Sequence, residues 1–113
     1  MKIRFRSRGL PKTSGLRELA ETRLAFALSR FAPRVREVTI RLEDENGPKG
    51  GVDKSCRVSV DLGRLGMVFV EDVDSNLEPA VCRAAERAGQ SVARAVERAG
   101  RASRLPVRKL LSW

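Results

Sequence analysis

Residues 54–101 read KSCRVSVDLGRLGMVFVEDVDSNLEPAVCRAAERAGQSVARAVERAGR, and this stretch decides the fold. It opens on strict alternation. Cys56, Val58, Val60 and Leu62 share one face and Arg57, Ser59 and Asp61 the other, which predicts a half-buried strand over about 54–62. Gly63-Arg64-Leu65-Gly66 then supplies a short turn, and Met67 to Asp72 a further strand. Its inward set is either Val68 with Val70 or Met67 with Phe69. From about 76 to 101 the period changes from two to 3.6. Leu77, Val81, Ala84, Ala88, Val92, Ala95 and Ala99 fall within an arc of roughly 80°, and Arg83, Arg87, Arg94, Arg98 and Arg101 within a separate arc of roughly 60°. This is a long helix that buries small apolar residues and holds guanidinium groups outward. At its start Ser75 and Glu78 have capping-box spacing, but Pro79 sits one residue too deep for that cap and suits Asn76 better.

Working outward, residues 35–44 alternate in the same way, with Val38, Ile40 and Leu42 against Thr39, Arg41 and Glu43. The breaker-rich loop Asn46-Gly-Pro-Lys-Gly-Gly51 joins this strand to the next. It lacks the phosphate-loop pattern and leads into a strand, so no helix N-terminus faces an anion there. Upstream, Leu16, Ala20, Leu24, Ala27, Leu28 and Phe31 form the apolar stripe of a helix over about 15–31, started by Thr13 or Ser14 and ended by Pro33. Residues 2–8 form a strand with Ile3 and Phe5 on one side and Lys2, Arg4, Arg6 and Arg8 on the other.

The order β-α-β-β-β-α predicts an α+β two-layer sandwich with a four-stranded mixed sheet. The last three strands form an antiparallel meander, the first pairs parallel with the second through a right-handed crossover, and both helices cover one face. Lys2, Arg4, Arg6, Arg41 and Arg57 collect on the other. One domain is expected over 1–101, followed by a basic and apolar tail, 102–113, that is either loose or folded back.

The 113 residues carry 23 Lys plus Arg against 14 Asp plus Glu, a net charge of +9. A polyanion is therefore the first partner to consider, and the excess of Arg over Lys favours phosphate. No apolar run approaches the roughly 18 residues of a membrane span and no secretory leader opens the chain, so a cytoplasmic location is expected. The chain has no His, and its two cysteines, Cys56 and Cys82, lie 26 positions apart. That composition removes the ordinary zinc sites, the commonest general base and every Ser-His or Cys-His pair. The acidic groups Glu43–Glu45 and Glu71–Asp74 read as loop solvation and helix capping rather than as a metal site. No enzyme, cofactor or small-molecule substrate is expected.

The arginine stripe on the long helix decides more. Like charges on one face repel unless screened or matched by an anion, which points to a polyanion-binding surface. Aromatic content is low, and all four Phe read as core. Binding should then rest on phosphates and RNA shape, with strong salt dependence.

Several local patterns resemble the hibernation-promoting factor / ribosome-associated inhibitor family in its short, stand-alone form. They are Asn46-Gly-Pro-Lys-Gly-Gly-Val-Asp-Lys-Ser-Cys-Arg-Val58, the acidic turn Glu71-Asp-Val-Asp74 followed by Leu77, Ala80-Val81 and Glu86-Arg87, and the first helix from Leu16-Arg-Glu18 through Arg23-Leu24 to Arg30-Phe31. Pro79, Val81-Cys82-Arg83 and Gly89 depart from the pattern, and an interior Gly costs about 1 kcal/mol relative to Ala. The resemblance implies a monomeric translation inhibitor that docks on small-subunit ribosomal RNA and blocks the tRNA/mRNA channel. It places Arg23 and Arg87 where the family has Lys or Arg, and Arg94 in its basic run. The expected RNA contacts are Arg23, Arg30, Arg83, Arg87, Arg94, Arg98 and Arg101 on the helices, with Lys2, Arg4 and Arg6 on the first strand. The competing expectation is a protein-interaction module that uses the sheet face or the tail, with no ribosome binding.

Overall fold

A computed structural model describes residues 1–9, 14–44 and 54–111, the side chains of Ser14 and of 101–111 excepted. Thr13, the 46–51 loop and the Arg101 side chain lie outside the described residues. The elements are β1 (Lys2–Arg8), α1 (Ser14–Leu28), a 3₁₀ segment (Ser29–Arg34), β2 (Glu37–Asp44), β3 (Lys54–Asp61), a short 3₁₀ turn (Gly63–Leu65), β4 (Met67–Asp74) and α2 (Leu77–Leu111). The sheet order is β1-β2-β3-β4, with β1 parallel to β2 and the two later pairs antiparallel. This is the expected α+β two-layer sandwich.

Alternation along the strands builds the core. Val38, Ile40, Leu42, Cys56, Val58, Val60 and Val70 turn to one side and are buried there with Ala20, Leu24 and Leu28 of α1 and Leu77, Val81, Ala84, Ala88 and Val92 of α2. Each fully buried Val, Leu or Ile contributes about 1.5–3 kcal/mol over its exposed state. The open phase of β4 is resolved by the partners opposite it. Val68 and Val70 pair with Val60 and Val58, so they turn inward, and Met67 and Phe69 turn out.

Three boundaries differ from expectation. The first helix leaves α geometry at Leu28, because Pro33 has no N–H to donate to the Ser29 carbonyl. The chain tightens into the 3₁₀ segment, and the Val35 N–H donates to the carbonyls of Phe31 and Ala32, both at 3.2 Å. The fourth strand runs on to Asp74, so its acidic residues belong to the sheet rather than to a loop. The last helix continues to Leu111, ten positions past the expected end at 101, and runs through Pro106.

Asn76 is the cap of α2. Its Oδ1 accepts from the Glu78 N–H at 3.1 Å, which leaves Pro79 in the first turn, where no intrahelical donor is required. Gly89, read as an interruption, is a packing requirement. A Cβ there would lie 3.0 Å from the Ala27 carbonyl oxygen and 3.2 Å from the Ala27 Cβ, so α1 and α2 touch backbone to backbone at this point.

Two of the four Phe are not core. Phe26 is 84% exposed on α1 and Phe69 73% exposed on β4, whereas Phe5 and Phe31 pack partly against the core. Phe26 falls off the Leu24/Leu28 stripe, and Phe69 follows from the phase of β4. Burial pushes the Cys56 thiol up to about 12, with the Asp72 carboxylate adding to the shift; Cys82 is half-buried.

Three outcomes follow. Gly89→Val should lose about 1–3 kcal/mol in denaturant unfolding by overpacking the helix crossing. Gly100→Ala, where an added Cβ meets open space, should gain up to about 1 kcal/mol. Near pH 8 a thiol reagent should titrate Cys82 in the native protein and reach Cys56 only on unfolding; two fast thiols would mean that the sheet opens readily.

Candidate nucleic-acid interface

The arginines of α2 divide into two halves, and the division follows from how the helix sits. Its small residues pack on β3, β4 and α1, which turns Arg83 and Arg87 toward the end of β4. There Asp72 and Asp74 share the inward register with Val68 and Val70, and their carboxylates meet the guanidiniums. Arg83 donates through Nε and Nη2 to Asp72 Oδ1, at 3.0 and 2.7 Å, and through Nη2 to Asp74 Oδ2 at 2.7 Å. Arg87 donates through Nη1 to the Glu71 carbonyl at 2.6 Å and lies 3.6 Å from Asp72 Oδ2.

These contacts move the charge states in the expected directions. The hydrogen bonds it donates, to Asp72 first and then to Asp74, hold the Arg83 guanidinium above its usual range. The Arg83 hydrogen bond, followed by one from the Asn76 N–H at 3.0 Å, holds the Asp74 carboxyl below the usual carboxylate range. A lowered carboxyl stabilises the fold above its unfolded value and loses that contribution as pH falls through the folded one. The acidic residues at 71–74 thus do more than cap. They neutralise half of the stripe whose mutual repulsion suggested an external anion. No grouping of His, Cys, Asp or Glu among the described residues could hold a metal ion.

The other half of the stripe is different. Arg94 and Arg98 lie beyond the reach of β4; among the described residues Arg94 touches only the Ser91 hydroxyl, at 3.5 Å, and Arg98 has no ion pair. Arg23 on α1 and Arg30 on the 3₁₀ segment are likewise exposed and have no carboxylate partner among the described residues, Arg30 resting over the Phe31 ring at 5.0 Å. They flank the exposed Phe26 and line an open groove between the helices, of about 460 Å³, floored by Ala27, Ala85, Gly89 and Ala93. The small floor residues keep this groove shallow and the flanking cations accessible.

The outer face of the sheet carries a second basic surface. Cross-strand register sets Arg6 beside Arg41 and Arg41 beside Arg57, one guanidinium on each of three adjacent strands. Arg57 pairs with Glu71 on β4 and Arg4 with Glu37 on β2, the latter at 2.6 Å. Among the described residues Lys2, Arg6 and Arg41 make no ion pair. Of the ten expected contact residues, Arg23 on α1 and Arg30 on the 3₁₀ segment line one groove, Arg94 and Arg98 project from the outer half of α2, and Lys2, Arg4 and Arg6 lie on the opposite face. Arg83 and Arg87 are tied to β4. The helix pattern taken alone gave no sign of that tie, because the partners belong to a different element.

No protein-family model matches the chain, and no curated protein matches it in sequence. Solved structures do. The N-terminal domain of Thermus thermophilus Protein Y superposes with a TM-score of 0.68 at 27% identity, covering 83% of this chain and 98% of that one. A ribosomal subunit interface protein from Coxiella burnetii superposes with the same TM-score at 15% identity, covering 83% and 96%, which speaks for the fold alone. Among the described residues no helix is long and apolar enough to cross a membrane. In element order, overall fold and the residue patterns of its acidic turn and helices, the chain resembles the hibernation-promoting factor / ribosome-associated inhibitor family.

Proposed function

We propose that this chain is a ribosome-binding translation inhibitor. It docks its basic helical surface on small-subunit ribosomal RNA and occupies the channel otherwise used by tRNA and mRNA. The observation that carries the reading is a set of exposed cations in the helical layer that have no carboxylate partner among the described residues: Arg23 on α1, Arg30 on the 3₁₀ segment, and Arg94 and Arg98 on α2. It stands on a fold shared with Protein Y at 27% identity. Guanidiniums without internal carboxylates are desolvated at least cost by phosphate, which they grip bidentately.

The mechanism requires no chemistry. A rigid two-layer body held at several phosphates excludes other ligands from the volume it fills, and each neutralised phosphate releases counterions. The protein acts as a monomer in the cytoplasm, where its partner is found. Arg83 and Arg87 have a different part from the one their spacing suggested. They fix α2 against β4, so that Arg94 and Arg98 project in a defined direction from a helix that cannot roll.

The two roles separate experimentally. The Arg94→Glu/Arg98→Glu double variant should lose co-sedimentation with the small subunit by at least tenfold at moderate salt, with an unchanged melting temperature. Arg83→Ala should lower the melting temperature and weaken ribosome association less. Full ribosome binding by the double variant would refute the proposed contact surface.

A further inference from the structure

The outer face of the sheet holds a feature that the helix-side reading leaves unused. Phe69 stands 73% exposed in the middle of β4, pointing away from the core. Its row across the sheet runs Phe69, Ser59, Thr39 and Arg4, so the positions beside the ring are small and polar. No neighbouring side chain in that row is large enough to cover it. The adjacent row runs Glu71, Arg57, Arg41 and Arg6. Between the two rows lies an open depression of about 500 Å³, lined among others by Thr39, Arg41, Arg57, Ser59, Phe69 and Glu71.

An uncovered aromatic ring, a low polar floor and guanidiniums one row away have complementary uses. A ring face left in water stacks favourably on another flat π system. Successive strands stand about 4.8 Å apart, and same-face rows about 7 Å apart along a strand. A base lying on Phe69 over Ser59 therefore brings its flanking phosphate near Arg57 and Arg41. Arg41 and Arg6 make no ion pair, so they meet a phosphate without breaking one. The hydroxyls of Thr39 and Ser59 border the floor and suit a ribose 2′-OH, which both donates and accepts. A duplex hides its base faces, so only an unpaired strand can use the ring.

We infer that the outer sheet face is a site for single-stranded RNA, in which an unstacked base lies on Phe69 and neighbouring phosphates meet Arg41 and Arg6. The site lies on the face of the sheet away from the helices, and neither surface needs the other.

The test measures binding of the full chain to a labelled unpaired RNA oligonucleotide and to a blunt RNA duplex at moderate salt. Phe69→Ala and Phe69→Leu should each weaken binding of the unpaired strand about tenfold and leave the duplex unchanged, and Phe69→Trp should retain full binding. Melting temperatures of all three should stay close to the parent's, because the ring is mostly exposed. Wild-type affinity in Phe69→Leu would overturn the inference, since an apolar group without a ring face would then suffice. Equal losses for strand and duplex would overturn it too. If Phe69→Ala impairs ribosome association while the oligonucleotide still binds normally, the face belongs to a protein partner and the inference fails. Loss of ribosome binding in the Arg94→Glu/Arg98→Glu variant bears only on the helix-side proposal.

Discussion

The close contact between α1 and α2 at Gly89 and Ala27 is the constraint on which the rest depends. At a 3.0 Å approach to the Ala27 carbonyl, no larger residue fits at 89 without displacing a helix. The same restriction to small groups continues along α2 through Ala80, Ala84, Ala85 and Ala88, all buried. Small residues let the helix lie close, and a close-lying helix cannot rotate about its axis. The arginine stripe therefore has a fixed azimuth: its first half falls over the acidic end of β4 and its second half projects beyond the sheet. Internal neutralisation and external binding are thus two outcomes of one packing decision.

The sheet distributes charge by the same logic. Period-two alternation commits the inward positions to Val, Ile, Leu and Cys and leaves the outward positions to polar groups. On β4 the inward set ends in Asp72 and Asp74 rather than in apolar residues, because at that end the strand faces the guanidiniums of α2. Outward, β1, β2 and β3 each contribute one arginine to a common row, and a single carboxylate, Glu71, closes the row at its β4 end. The +9 charge of the chain is thus concentrated where no internal anion answers it.

Most of the architecture was legible because it rests on periodicity. Ile3 and Phe5, Val38 to Leu42, and Cys56 to Leu62 announce three strands by alternation alone, and the Leu77-to-Ala99 arc announces the long helix. The Asn76 cap was legible from the position of Pro79. What the sequence hid depends on distant partners. The phase of β4 was open because Met67, Val68, Phe69 and Val70 are all apolar; only pairing with Val58 and Val60 settles it. Phe69 was read as core for that reason, and the site it offers was not foreseen. A helical projection treats α2 as an isolated cylinder, so it could not show that Arg83 and Arg87 meet carboxylates 9 to 15 positions upstream. Gly89 looked like a flaw in a helix because its role lies in the neighbouring helix.

The central claim is that the cations left unanswered by the fold bind ribosomal RNA phosphates. It is tested most directly by the salt dependence of the wild-type chain's affinity for purified small ribosomal subunits. Four to six phosphate contacts predict that log K falls linearly with log salt, with a slope of about −3 to −5. A slope near zero, or no binding even at low salt, would contradict the account and show that the basic surfaces serve some other end.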